Sequence, residues 1–373
     1  MPETCDAVVV GGGIAGASIA YELAASLRVV LVEAEAALAT HATGRSATVY
    51  LPSYGTPTVR ALTRASEPRF AELADLFALP PLLVPRPMLW AGFDPAGADA
   101  VRVMIDERAG GPGALVDLTP AEAHRVSPVL ADGALKAAAL DTGCREIDAM
   151  ALHQGYVSGL RARGGAVVAG TRVRALTPRA GGWQVTAGPA TLDCAVVVDA
   201  AGAWADAVAA LAGVPPVGLQ PKRRSLFLSP VPDGVPWDPA GALVADAAER
   251  FYFKPEGANV LGSPADATPC EPCDARPDEL EIARALDLVN QVTTLCLRTV
   301  RRSWAGLRTF SPTGDPVVGA YRDHPGFVFL AGQGGYGIQM APALAALAAA
   351  VVTATAVPAD LTVDPATLAP TPD

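Results

Sequence analysis

The chain has 373 residues, 51% of them hydrophobic, and a formal net charge of -10. That length and apolar content suffice for two packed domains and exclude a disordered or fibrous protein. The acidic balance disfavours nucleic-acid phosphates and anionic membrane surfaces as partners; the lone basic cluster is Lys222-Arg223-Arg224. Residues 1–6 carry no positively charged leader, and the apolar run at 7–10 stops at glycines too early for a signal or a membrane span, so a cytoplasmic protein is expected. The six cysteines are scattered, and Cys270-Glu271-Pro272-Cys273, in a Pro/Asp-rich stretch, reads as a pair of loop cysteines rather than a metal or redox site.

The opening reads strand (7–10), glycine turn (11–16), helix (17–26) and strand (29–32), the start of a βαβ unit. A helix is predicted over 59–77 from the apolar face of Leu62, Phe70, Leu73 and Phe77, closed by Pro80-Pro81. Residues 82–90 suit a strand interrupted by prolines. Asp148 is a candidate N-cap for a helix over 149–163 that Gly164-Gly165 ends, ahead of a strand at 166–169. Further strands are expected at 173–176, 183–186, 194–198, 226–228, 251–254 and 259–262, and a helix at 278–296. The end repeats the opening, with an apolar strand at 327–330, a glycine turn and an Ala-rich helix over 338–353. The simplest architecture is α/β: a discontinuous Rossmann-like cofactor domain (1–80, 146–215 and 305–373) with an inserted α+β substrate domain (81–145 and 216–304) carrying an antiparallel sheet.

Gly11, Gly13 and Gly16 have the spacing that turns a strand tightly into a helix, brings backbone N–H groups to a pyrophosphate and lets helix pack on strand. Glu33, about 20 residues on at the end of the next strand, is placed to accept from an adenosine ribose and would repel a 2′-phosphate. The fingerprint alone fits NAD as well as FAD. Three further small-residue turns, at 43–47, 199–204 and 331–337, favour FAD, and the last runs into a helix with Pro342 in its first turns, whose positive end would face the flavin pyrimidine ring.

The segments at 43–47, 54–57, 153–156, 219–225, 304–308 and 332–339 resemble the FAD-dependent D-amino acid oxidase superfamily, the group that includes glycine oxidase and monomeric sarcosine oxidase, and within it bacterial D-arginine dehydrogenase. The likeness runs in order over nearly the whole chain and implies a shared fold. It implies that Arg224 and Arg308 bind a substrate carboxylate, that Tyr252 hydrogen-bonds it, that Tyr54 closes over the ligand as a lid, and that the Gly335 carbonyl accepts from the substrate nitrogen. Guanidinium groups grip a carboxylate bidentately, which fits those roles. Arg223 and Arg224 alternate across a strand, so one faces the pocket; the resemblance selects Arg224. His153 reads as structural. The turns and the resemblance together assign noncovalent FAD to Gly11, Gly13, Ile14, Ala15, Gly16, Glu33, Ala34, Gly44, Arg45, Ser46, Ala47, Val173, Ala201, Gly202, Trp204, Gly306, Gly332, Gly334, Tyr336, Gly337, Ile338 and Gln339.

Two departures bear on substrate. The related enzyme holds a cationic side chain with a glutamate after its Pro-Arg-Pro sequence, whereas Met88 follows Pro85-Arg86-Pro87 here; Val49 and Leu51 replace a histidine and a threonine. A pocket lined by Met88, Val49 and Leu51 should prefer neutral, apolar D-amino acids. The expected reaction is oxidative deamination by hydride transfer from the α-carbon to flavin N5, giving an imino acid that hydrolyses to a 2-oxo acid and ammonia, with oxygen or a quinone as electron acceptor. A secondary-amine oxidase of the sarcosine or glycine type shares the scaffold, an NAD-dependent dehydrogenase shares the opening fingerprint, and a non-catalytic flavin-binding protein is the alternative outside enzymes.

Overall fold

The structure, a computed structural model, describes residues 4–109 and 113–371. Residues 1–3 of the leader reading, and the outermost residues of the expected first and last domain segments, lie outside the described residues. Short runs of consecutive Val and Leu suit strands covered on both faces, because no position then needs to be polar. Five such runs, Phe327–Ala331, Val196–Asp199, Ala7–Val10, Val29–Val32 and Ala166–Val168, lie side by side in that order and parallel, with Val317–Gly319 antiparallel beyond the first.

Helices Ile14–Leu23 and Gly337–Thr353 pack together over one face of this sheet, where Val9, Ile19, Leu31, Leu344 and Leu347 form a core. Helices Pro57–Leu76 and Ala149–Ala162 flank them. The other face is covered by a three-stranded antiparallel sheet, Val173–Arg179, Gly182–Ala187 and Ala190–Cys194, through Trp183, Val185 and Phe327.

A second, ten-stranded and mostly antiparallel sheet draws on residues 88–141 and 220–334. Its long centre pairs Gln220–Pro230 with Arg302–Phe310, and Leu243–Asp246 runs parallel to Met88–Gly92. Helices Pro95–Arg108 and Glu279–Val292 pack on it. Phe327–Ala331 belongs to the parallel sheet, yet Gln333–Gly334, only two residues on, bonds to Thr309 and Phe310 of the second. The chain therefore crosses between sheets at a single glycine, Gly332, whose φ is +69°, and the space between the sheets opens there.

Several local expectations need correcting. The strand expected at 194–198 is two: Ala190–Cys194 ends one sheet and Val196–Asp199 enters another, because the chain turns at Ala195. The segment 82–90 also divides, Leu83–Pro85 pairing with Arg145–Ile147 and Met88–Gly92 joining the large sheet, since the two prolines around Arg86 interrupt any single ladder. The helix expected at 278–296 stops at Val292: Thr293 turns extended and its hydroxyl donates to the Val289 carbonyl, while the Asn290 side chain bonds Leu297. The strand at 226–228 is the middle of Gln220–Pro230. Arg302–Phe310 straddles the expected boundary at 305 and lies wholly in the large sheet.

Candidate active site

A cavity of about 760 Å³ lies between the two sheets, at the carboxyl ends of the parallel strands. Ligands bind at that edge of open α/β sheets where the strand order switches direction, as it does on either side of Ala7–Val10. The glycine turn is built by close packing. Gly11 has φ +106°, and a Cβ there would stand 2.5 Å from the Ala200 carbonyl oxygen; one on Gly16 would stand 1.8 Å from the Gly11 oxygen. Only hydrogen fits at either position. His153, buried in the helix behind, donates from Nε2 to the Gly12 carbonyl (2.9 Å), and burial holds its pKa below the ordinary value, so it is a neutral strut. That matches its structural reading.

The helices divide into two kinds. Pro57–Leu76, Pro95–Arg108, Pro120–Val126, Ala149–Ala162 and Glu279–Val292 each start with a side chain, Thr56, Asp94, Thr119, Asp148 or Asp278, accepting from a first-turn N–H. Ile14–Leu23, Ala205–Leu211 and Gly337–Thr353 have no such cap from the residue before them, and Ile14, Trp204 and Gly337 at their starts line the cavity. The Ile14 N–H is met by the Thr43 hydroxyl (3.0 Å); the remaining first-turn amides need acceptors, and the positive helix ends favour anions. Around them the cavity is lined by Gly11, Gly13, Ile14, Ala15, Ala34, Arg45, Ser46, Ala47, Val173, Ala201, Gly202, Trp204, Gly306, Gly332, Gly334, Tyr336, Gly337, Ile338 and Gln339.

Two residues of the expected cofactor set are elsewhere. Gly16 faces the strand rather than the cavity, and Gly44, whose Cβ would meet the Ala39 carbonyl at 2.4 Å, borders a separate cavity. Glu33 lines the main cavity while its two oxygens accept from Gly12 N–H (2.6 Å) and Glu35 N–H (2.7 Å), leaving lone pairs for a ribose. Arg45 spends its guanidinium on protein: it donates to the Thr40, Ala275 and Ala305 carbonyls and pairs with Asp274 at 2.6 Å. Sequence reasoning left out His41, whose ring lies 4.7 Å from that of Trp204, and Arg172 and Arg174, which line the same end. No spacing marks them.

At the other end the large sheet supplies side chains. Lys222 stands opposite Arg308 and Arg224 opposite Gly306, so both arginines project on one face of the paired strands, and both line the cavity. Arg224 donates to the Asp266 carbonyl (2.7 Å) and stands 6.0 Å from the Tyr252 ring; burial and then the Arg308 charge hold its pKa below the usual guanidinium range. Arg308 packs on the Gly335 backbone, where a Cβ would come within 2.9 Å of its Cζ, and has no ion pair among the described residues. Arg223 points away and pairs with Asp278 at 2.9 Å.

Tyr54 donates to Glu249 (3.0 Å) and meets Tyr336 and Trp90 at ring distances of 5.5 and 6.0 Å; burial, then Tyr336 and Glu249, push its hydroxyl up, so it stays a proton donor. Val49, Leu51, Met88 and Trp90 pack beside it. Leu51 is fixed by Gln339, whose buried amide accepts from Leu51 N–H and donates to Thr63, each at 3.0 Å. Glu249, in left-handed backbone at φ +56°, is a carboxylate on the cavity wall that the sequence reading overlooked.

Uncapped helix ends, a carboxylate after the second parallel strand and Gly202, whose Cβ would meet nothing within 4 Å, fit a dinucleotide; the arginine-lined end fits a small anion beside it. These features define a protein that binds a dinucleotide, with room for a small anion in the same cavity. A family model described as FAD dependent oxidoreductase matches residues 6–351, and the chain belongs to this DAO family of FAD-dependent oxidoreductases. Among solved structures it is similar to glycine oxidase from Geobacillus kaustophilus (TM-score 0.85, 22% identity, 99% of each chain covered) and to L-proline dehydrogenase from P. horikoshii (TM-score 0.83, 19% identity, 96% of each). A Bos taurus protein named FAD-dependent oxidoreductase domain-containing protein 1 is 33% identical over 183 residues, 43% of this chain; the match spans 36% of the bovine protein. No helix among the described residues is long and apolar enough to cross a membrane.

Proposed function

We propose that the enzyme oxidatively deaminates a neutral, apolar D-amino acid. The observation that carries this reading is the pair Arg224 and Arg308: two cations on one sheet face, turned into the cavity, with no carboxylate side chain among the described residues paired to either. Like charges so placed repel, and an α-carboxylate held between them relieves the repulsion while its geometry suits a guanidinium fork. Bound FAD supplies a ring that accepts a hydride. Tyr252 and the arginines fix the carboxylate, the Gly335 carbonyl accepts from the nitrogen, and the α-hydrogen is thereby aimed. None of Arg224, Tyr252, Arg308 and Tyr54 is a strong base, so the ammonium releases its proton to solvent before its α-hydrogen leaves. The imino acid then hydrolyses to a 2-oxo acid and ammonia. Met88, Leu51, Val49 and Trp90 make an apolar seat for the side chain. The D configuration rests on the resemblance to D-amino acid enzymes.

Glu249 favours a second reading. Its carboxylate at the cavity wall, already held by Tyr54, would meet a basic side chain long enough to reach it. Anaerobic mixing with a panel of D- and L-amino acids and N-methylglycine, followed by flavin absorbance, separates the readings. Bleaching by D-leucine or D-methionine but not D-arginine supports the apolar seat. Strong bleaching by D-arginine that Glu249→Gln abolishes assigns the pocket to basic substrates, and bleaching by N-methylglycine alone overturns the primary-amine reading.

A further inference from the structure

The Cys270-Glu271-Pro272-Cys273 stretch has no part in the chemistry above, yet its surroundings differ from those of ordinary loop cysteines. Cys5, Cys144 and Cys194 are buried, and burial pushes their thiols up, to about 11 for Cys5 and about 12 for the other two, so they are inert. Cys296 is exposed and solitary. Cys270 is half-buried and Cys273 is exposed, and burial, then the neighbouring Cys273 thiol, push the Cys270 thiol above its ordinary value. Among the described residues no cluster of three His, Cys, Asp or Glu side chains could hold a metal.

Position gives this pair its interest. The Cys270 N–H donates to the Pro221 carbonyl (3.0 Å), tying the start of the strap to the long strand Gln220–Pro230. Cys273 and Ala275 line the main cavity. Between them, Asp274 accepts from Arg45 at 2.6 Å, and the Ala275 carbonyl accepts from the same guanidinium at 3.2 Å. Arg45 lies in the turn Thr43–Arg45, whose Thr43 hydroxyl accepts from the Ile14 N–H in the glycine turn. The strap 270–275 is thus connected, through one arginine and one threonine, to the backbone that would hold the dinucleotide.

We propose that Cys270 and Cys273 form a reversible disulfide that stiffens this strap and slows release of bound FAD. The exposed Cys273 thiolate attacks one sulfur of a low-molecular-weight disulfide, expelling one thiol. The Cys270 thiolate then attacks the mixed disulfide and expels the second. The protein dithiol is oxidised by two electrons and loses two protons, and the small disulfide is reduced to two thiols. Closing the short loop restricts the conformations in which Asp274 and Ala275 leave Arg45. The inference requires the family's cofactor but not the proposed substrate.

The test uses the holoenzyme equilibrated with reduced or with oxidised glutathione. Alkylation and peptide mapping report the thiols, and the rise of free-flavin fluorescence after dilution reports release. The expected result is an intramolecular Cys270–Cys273 bridge and release slowed roughly three- to tenfold, the lower end of what one cross-link contributes. That difference should vanish in both Cys273→Ser and Cys270→Ser. Two alkylated cysteines after oxidised glutathione, a stable glutathione adduct alone, or equal release rates in the two states would each overturn the proposal.

Discussion

The two ends of the cavity are made of different material. The dinucleotide end is backbone: glycine turns, uncapped helix amides and small side chains, contributed by segments that each form a local strand-turn-helix unit. The opposite end is side chains: Arg224, Tyr252, Arg308 and Met88, projected by strands whose neighbours are set only by sheet register, with Tyr54 from the turn before Pro57–Leu76. Backbone recognition tolerates almost no added atoms, whereas side-chain recognition can be retuned without touching the fold.

Substitutions at the two ends should therefore fail differently. Gly16→Ala has the largest expected effect: its methyl would sit 1.8 Å from the Gly11 carbonyl oxygen, which cannot yield without opening the turn. Purified protein should be nearly colourless, as the flavin-to-protein absorbance ratio would reveal, and a fully yellow variant would contradict the packing argument. Arg308→Ala should leave flavin content unchanged. Removing a partner from a desolvated charge pair costs about 2–5 kcal/mol, so kcat/KM should fall on the order of 30- to 5,000-fold, with kcat falling too if the arginine orients as well as binds. A change confined to KM would reduce its role to anchoring.

The smallest effect belongs to His153. Burial depresses its pKa in the fold, so below the unfolded value of about 6.5 the unfolded chain takes up a proton that the native state refuses. The stability it contributes is present above that pH and is lost as pH falls towards the depressed folded value. His153→Phe should lose about 1 kcal/mol at pH 7 by orphaning the Gly12 carbonyl, while flattening the decline of the thermal midpoint between about pH 7 and 5. An unchanged decline would place the acid sensitivity elsewhere.

Legibility in the sequence follows the same division. The βαβ opening, Glu33 and the closing helix could be read directly, since spacing alone encodes a glycine turn and an apolar strand. Roles for Arg224, Tyr252 and Arg308 came only through resemblance. That Lys222 stands opposite Arg308, and so brings Arg224 to the same face, is a fact of register 86 positions apart along the chain, and no local pattern carries it. Glu249 was invisible for the same reason, lying in a turn after Leu243–Asp246, a strand not anticipated. Other omissions were avoidable. Thr119-Pro120-Ala121-Glu122 is a capping box and Asp94-Pro95 a cap followed by an N1 proline, and each opens a helix that the apolar periodicity alone did not reveal.

The buried amide of Gln339 joins these two kinds of recognition. One oxygen holds the Leu51 N–H and one nitrogen the Thr63 hydroxyl, so a residue of the closing helix fixes both the substrate wall and the helix Pro57–Leu76. Glutamate could not donate to Thr63 without taking up a proton, and leucine would leave a buried N–H unmet. The wall beside Met88 thus loses its freedom when the chain folds rather than when a substrate arrives, and binding there forfeits little entropy. Discrimination at that wall is then a matter of fixed shape, with the ordering already complete before the first encounter.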